Sequence, residues 1–218
     1  MNITKDNIII RVANENDAED MLEFLRKYYF TEEPITLGNE PKQQSPEDED
    51  FHISLLSIGA SIIAIDSDRN GQIVGAVLAG PVEPTEADDM LDEAKSCKDK
   101  KWSEILCLLA HLDIQANIYE RYSVDRALHV HALAVHSRTR GQSIGRRMME
   151  KCMENGKKLG YPLLCADCSS VYSIRMAEKL HMDCIGSLAY EDYRDDNGRQ
   201  VFRPPHPHTH IKTFAIIL

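Results

Sequence analysis

The spacing of apolar positions changes period along the chain, and each change marks a new element. Ile8, Ile9, Ile10 and Val12 form a short β-branched run that predicts a strand. Residues 14–17 are polar enough to cap a helix, Glu19 and Asp20 add negative charge at its start, and Met21, Leu22, Leu25 and Tyr28 follow at helical spacing. Pro34 ends that helix, because the residue before a proline avoids the helical region and Glu33 is pushed towards extended backbone. Residues 38–49 are polar and proline-containing and read as a loop, and 51–58 as a second helix. Apolar runs at 61–66 and 72–78, parted by Asp68-Arg69-Asn70-Gly71, predict a hairpin with Asn-Gly at its turn, closed by 80–84. Residues 88–119 are helical in pattern, as two helices on either side of the charged cluster 98–101; Trp102, Ile105, Leu106, Leu109 and Leu112 mark a core-covering face.

The stretch 128–150 organises the rest. An apolar run broken by His129, His131 and His136 gives way to a polar turn at 137–142, then to a helix from Ile144 to about 159 carrying Met148 and Met149. Residues 161–168 are apolar on both faces, as a buried parallel strand is. A helix opens at 169–173 and runs to about 181; a strand at 184–190, a turn at 195–198 and closing strands at 201–202 and 211–218 complete the chain. The order β-α-α-β-β-α-α-β-α-β-α-β-β predicts an α/β chain with a mixed sheet and helices on both faces, parallel pairing falling between 128 and 190.

Composition narrows the partners. The 218 residues fit a single domain, 1–218, and 43% hydrophobic with 28% charged residues is ordinary globular usage. A net charge of −10 argues against a nucleic-acid partner and against an anionic membrane surface, and suits a cationic substrate. No apolar run approaches the roughly 18–20 residues of a membrane span, and the first residues lack the hydrophobic region of a signal peptide. The six cysteines then read as reduced thiols, with the cytoplasm as the expected compartment. Oligomeric state has no signature. No metal site is expected: Cys165-x-x-Cys168 has no second pair, and His206, His208 and His210, which alternate along one face, lack partners to complete a zinc site.

The turn at 137–146 carries the first chemistry. A helix N-terminus exposes unpaired N–H groups and a positive dipole end, which suits an anion. Arg140 and Arg146 add charge there, as phosphate binding requires. The spacing is neither that of the dinucleotide fingerprint nor of a P-loop. Arg140-Gly141-Gln142-Ser143-Ile144-Gly145 instead resembles the R/Q-x-x-G-x-G/A pyrophosphate loop of the GNAT superfamily, the acetyl-CoA-dependent N-acyltransferases. Ser143 stands where that family has its first glycine, and the turn tolerates it if the position is not left-handed.

Further segments resemble the insect arylalkylamine N-acetyltransferases of that superfamily. Thr31-Glu32-Glu33-Pro34-Ile35 is similar to the family's D/E-E-P-L/I motif, Cys168-Ser169-Ser170-Val171-Tyr172-Ser173 to its C-S-S-x-Y-S segment, and Val201-Phe202-Arg203-Pro204-Pro205 with Pro207-His208 to its closing V-F-K-P…P-H stretch. His129-Val130-His131 followed by Leu133-Ala134-Val135-His136 resembles the H-x-H and L-A-V-H of the vertebrate serotonin N-acetyltransferases. The general-acid tyrosine of those enzymes falls at Ala177 here, leaving Tyr172 and Ser173 as nearby hydroxyls.

The resemblance implies a GNAT fold of about seven strands with a splayed central pair. It implies acetyl-CoA held by the backbone of Leu133, Ala134 and Val135 and by 140–146: Arg140, Gly141, Gln142, Ser143, Ile144, Gly145 and Arg146. Glu33 is implied as general base, with Ser169 and Ser173 taking part. From the residues alone, Glu33 on a stiff turn is a candidate base, although Glu32 and Glu33 also read as two solvated acids. His129 and His131 share one face of a strand, and an unused histidine pair inside a core is costly, so both join the candidates. The reaction expected is direct acetyl transfer to an arylalkylamine such as dopamine, octopamine, serotonin or tryptamine. The alternatives are a polyamine or agmatine N-acetyltransferase of the same fold, and a coenzyme A-binding regulatory module without turnover.

Overall fold

The structure, a computed structural model, describes residues 7–42, 44–195 and 197–218. Its strands are β1 (Ile8–Val12), β2 (Ile62–Asp66), β3 (Gln72–Val82), β4 (Ala127–Val135), β5 (Leu163–Cys168), β6 (Asp183–Ala189) and β7 (His210–Ile217). Its helices are α1 (Ala18–Tyr28), α2 (Pro34–Gly38), α3 (Pro46–Ser54), α4 (Glu86–Ser96), α5 (Lys100–Ala116), α6 (Ile118–Tyr122), α7 (Ile144–Lys158) and α8 (Val171–Lys179). The strands form one seven-stranded sheet in the order β1-β2-β3-β4-β5-β7-β6. Helices cover both faces, as expected: α7 packs through Ile144, Met148, Met149 and Cys152, and α1 packs into a separate cluster through Met21, Phe24 and Leu25. The β2–β3 hairpin forms where Asn-Gly predicts it, with Asn70 at φ 54° and Gly71 at φ 76°.

Three expectations change. Parallel pairing is confined to β4 with β5; β7 inserts antiparallel between β5 and β6, so β6 lies at the sheet edge. Burial explains the order, because β7 buries Ile211, Phe214 and Ala215 whereas β6 has no residue in the buried class. The loop predicted at 38–49 holds the start of α3: Ser45 caps it by accepting from the Asp48 N–H at 3.1 Å, with Pro46 at the first helical position. Residues 201–202 are not a strand; Val201 and Phe202 are buried side chains of the core around α5.

Two features of β4 open a gap in the sheet. Leu78 pairs with Ala132 and Ala79 with Val130, so His131 is an inserted bulge residue. Val130 and Leu128 lie in the α7-side core, while Ala132 and Ala134 lie in the α1-side core. The bulge therefore reverses the alternation. Pairing with β5 covers only Leu128, His129 and Val130. Beyond Val130 the two strands diverge, and β4 keeps β3 as its single strand partner.

Candidate active site

The loop after β4 is built around His136. Its Nδ1 accepts from the Arg138 N–H at 3.1 Å, and its ring lies 4.4 Å from that of Tyr28. Gly141 has φ +81°, and a side chain there would meet open space. Ile144 is buried and anchors the start of α7, and Gly145 approaches Val135 and Leu133 of β4. The first-turn N–H groups of α7 thus open beside the unpaired side of β4, where residues 133–135 run. Ser143 adopts φ 59°, ψ 19°, so the position is left-handed and the condition for tolerating serine without strain is not met. A non-glycine residue there costs about 1–2 kcal/mol, which is the reason a glycine fits better. Arg140 is held by two bonds, Nε to the Val135 carbonyl at 3.1 Å and a terminal nitrogen to Glu32 at 2.7 Å. Arg146 pairs at 2.8 Å with Glu150, one turn along its own helix.

Glu33 lies against Ser169, which follows β5. It is 7% exposed and caps α2, its carboxylate accepting from the Thr36 N–H at 2.5 Å. Burial pushes its carboxyl above the ordinary value; the Ile35 and Thr36 N–H groups and the Thr36 and Ser169 hydroxyls act in the opposite sense. The Tyr190 hydroxyl donates to the Ser169 carbonyl at 2.8 Å. Tyr29 lies near the same carboxylate: burial, then the charges of Glu33 and Asp48, push its phenol well up. Lys101, from α5, donates to the Thr36 carbonyl at 2.7 Å and the Pro41 carbonyl at 2.5 Å and ties the Glu33 segment down.

His129 and His131 stack with centroids 4.6 Å apart. Desolvation, then neighbouring imidazoles, hold His131 well below its ordinary value, so it is neutral. His129 places Nε2 3.7 Å from Asp167, whose other oxygen accepts from Thr213 at 2.5 Å, and Nδ1 3.7 Å from the Cys165 thiol. Behind them Glu86, pushed up to about 6 mainly by burial, and Asp113, raised by burial, form no salt bridge with lysine or arginine among the described residues.

The fold thus brings Glu33 and Ser169 together and stacks the histidine pair. It sends Ser173 elsewhere: its hydroxyl bonds the Ser170 N–H at 3.2 Å in a reciprocal cap of α8. Tyr172 is 66% exposed. Cys165 and Cys168 are buried with thiols pushed up, Cys168 to about 12, so neither is an activated nucleophile. Sequence reading did not find Tyr190, Asp167, Asp113, Glu86 or the pair Asp48–His52. Among the described residues no group of three or more His, Cys, Asp or Glu is placed to hold a metal, and no helix is long and apolar enough to cross a membrane.

A bulged central strand, a diverging neighbour and a helix N-terminus at the gap define the acetyltransferase architecture that the loop motif suggests. Residues 18–182 match the Acetyltransferase (GNAT) family, and the chain belongs to it. A mosquito arylalkylamine N-acetyltransferase like 5b superposes with TM-score 0.93 at 40% identity, covering 97% of this chain and 100% of that one. A Drosophila melanogaster polyamine N-acetyltransferase, an enzyme that forms N-acetylagmatine, gives 0.91 at 37% identity, covering 97% and 100%. Arylalkylamine N-acetyltransferase 2 from Aedes aegypti gives 0.89 at 27% identity, covering 97% and 99%. The chain is a GNAT acetyltransferase, and acetyl-CoA is its acetyl donor.

Proposed function

We propose that the protein acetylates the primary amine of an arylalkylamine by direct transfer from acetyl-CoA, with Glu33 as general base. The observation that carries this reading is the Glu33 carboxylate, buried beside Tyr29 and Ser169, where burial raises its basicity. An alkylammonium has a pKa of roughly 10 and must lose a proton before its nitrogen can attack a thioester. Glu33 takes that proton. The nitrogen lone pair then attacks the carbonyl carbon; the C–N bond forms, the C–S bond breaks, and a second proton leaves the nitrogen as the thiolate gains one. His131, held neutral, is a poor store for the first proton and suits hydrogen bonding. The unactivated thiols of Cys165 and Cys168 favour direct transfer over an acetylated cysteine.

The donor's pyrophosphate fits the N–H groups from Gly141 to Arg146, where nothing crowds Gly141, and its extended arm fits the free side of β4 at Leu133, Ala134 and Val135. Arg140 is the charged partner, whereas Arg146 contributes through its N–H while its side chain stays on Glu150. Ser169 orients Glu33, and Ser173 serves by capping α8. An aromatic wall of Tyr29, Phe51 and Trp102 beside His131 supports an aryl group: Phe51 lies 4.9 Å from His131 and 6.0 Å from Trp102.

A second reading, a polyamine or agmatine substrate, is favoured by one observation: Glu86 and Asp113 form no salt bridge with lysine or arginine among the described residues, and Asp113 feels the charges of His129 and Asp167. Thiol release from acetyl-CoA with tyramine, tryptamine, dopamine, agmatine and spermidine tests both. Turnover of the aromatic amines alone supports the first reading and of the cations alone the second; thiol release with no amine overturns both.

A further inference from the structure

His52 is a buried polar side chain in this region that no step of the transfer uses. It is 5% exposed, on α3, among the rings of Tyr29 at 5.3 Å, Phe30 at 5.6 Å and Phe51 at 5.5 Å. Its Nδ1 lies 2.9 Å from Asp48 Oδ1 and 2.7 Å from the Asp48 carbonyl. Both neighbours only accept, so Nδ1 carries the hydrogen and Nε2 presents a lone pair. That Nε2 is buried and has no hydrogen-bond partner among the described residues. A buried acceptor without a partner calls for a ligand that donates. An imidazole fixed in one tautomer by a carboxylate is, chemically, arranged to receive a proton and to have the resulting cation neutralised.

The surroundings say whose proton. The charges of Glu33 and Asp48 both act on Tyr29. His131, whose charged form His52 opposes, stacks on His129. From α5, Lys101 feels both Asp48 and Glu33. His52 packs on the ring of Tyr29, whose carbonyl accepts from the Glu33 N–H at 2.8 Å. Acetylation of an ammonium sheds two protons from nitrogen, and only one is returned to the leaving thiolate. Glu33, buried, must pass its proton on before the next turnover.

We propose that His52, oriented by Asp48, is the relay residue that receives this proton at Nε2 through water, the Tyr29 hydroxyl being turned to the His131 carbonyl at 3.4 Å. The O–H of the donor breaks, the Nε2–H bond forms, and the Asp48 carboxylate pairs with the imidazolium. This rests on the reading of Glu33 as base.

Two measurements test it. In the first, His52→Gln, which reaches the Nε2 position without accepting a proton, and Asp48→Asn are assayed across pH with the amine the wild type turns over. The expected result is a fall in kcat of about 10- to 100-fold for His52→Gln, the lower range of general acid–base effects, with KM for acetyl-CoA unchanged and a deficit that shrinks in strong buffer or at high pH. Asp48→Asn falls in between. An unchanged kcat, or an equal loss at every pH together with a lowered Tm, overturns the relay. The second, nitrogen-15 NMR of the imidazoles, needs no turnover. A protonated Nδ1, with an Nε2 resonance that moves when tryptamine or agmatine joins coenzyme A, supports the proposal. A protonated Nε2, or no response to either amine, overturns it whether or not the wild type acetylates those amines.

Discussion

Arg140 and Glu32 are 108 positions apart in sequence and joined by a 2.7 Å ion pair. The bond ties the turn before α7 to the residue preceding Glu33. The pair is about half exposed, and such pairs are worth about 0.2–1 kcal/mol. Glu32→Gln frees Arg140 for the pyrophosphate and removes a nearby negative charge. The expected outcome in calorimetry is tighter coenzyme A binding, by about 2- to 5-fold at low salt, with the gain fading as salt rises. Weaker binding would mean that Glu32 holds Arg140 in its working position.

Ser143 carries the strained backbone of that turn. Its φ of 59° and ψ of 19° lie in the left-handed region, and its side chain caps nothing. Ser143→Gly relieves about 1–2 kcal/mol, set against the added freedom of the unfolded chain, about 0.5–1 kcal/mol. The variant should unfold at the same temperature or a few degrees higher, with coenzyme A affinity retained. At Gly141 the reverse holds: Gly141→Pro cannot reach φ +81° and should abolish coenzyme A binding in a protein that still folds.

How far the sequence carries can be read from particular residues. The β4–turn–α7 unit was legible because the apolar period switches there and a helix start has its own chemistry. Glu33 was legible through Pro34, whose steric rule acts on its neighbour. The placement of β7 between β5 and β6 was not, since strand order depends on burial between segments far apart in sequence. The handedness of Ser143 was hidden because only glycine signals a positive φ reliably. His52 and Asp48 escape because the helix-start signal Ser45-Pro46 lies inside a stretch whose polarity and prolines predict a loop; placed on a helix, the two are spaced one turn apart and able to bond. Asp113, Asp167 and Tyr190 converge on the site from different elements, which no local pattern records.

Asp113 and Glu86 separate the two substrate readings. Their carboxyls are raised, Glu86 to about 6, by burial and by acidic neighbours. If they receive the distal cation of agmatine, Asp113→Asn should lower kcat/KM for agmatine by about 10-fold or more, the scale of a lost charge-assisted bond of roughly 1.5–3 kcal/mol, and leave tyramine unchanged. The agmatine signal should also weaken as pH falls below about 6 and Glu86 takes up its proton. Equal effects on both amines would assign the acids to the histidine pair instead.

Glu33 gives opposite signs for activity and stability. As the proposed base it works as the carboxylate, and its folded pKa is raised by burial above the ordinary 4.5. Activity is therefore lost as pH falls through that raised value, and the acidic limb of kcat/KM for the amine should lie above 4.5. Glu33→Gln should remove the limb and lower kcat/KM by about 10²–10⁴-fold, the usual weight of a general base. For stability the linkage runs the other way. A raised folded pKa favours the protonated form, so the group's stabilising contribution is complete below the unfolded pKa and is lost as pH rises through the folded one. Glutamine mimics the protonated acid and still accepts from the Thr36 N–H. Glu33→Gln should consequently raise Tm at neutral pH, and the gain should vanish near pH 4, where the wild-type carboxyl is itself protonated. A variant that is inactive yet more stable at neutral pH marks a carboxylate kept ionised for chemistry. One that is less stable by the same amount at both pH values makes Glu33 a cap of α2, and the base must then be sought elsewhere in the gap.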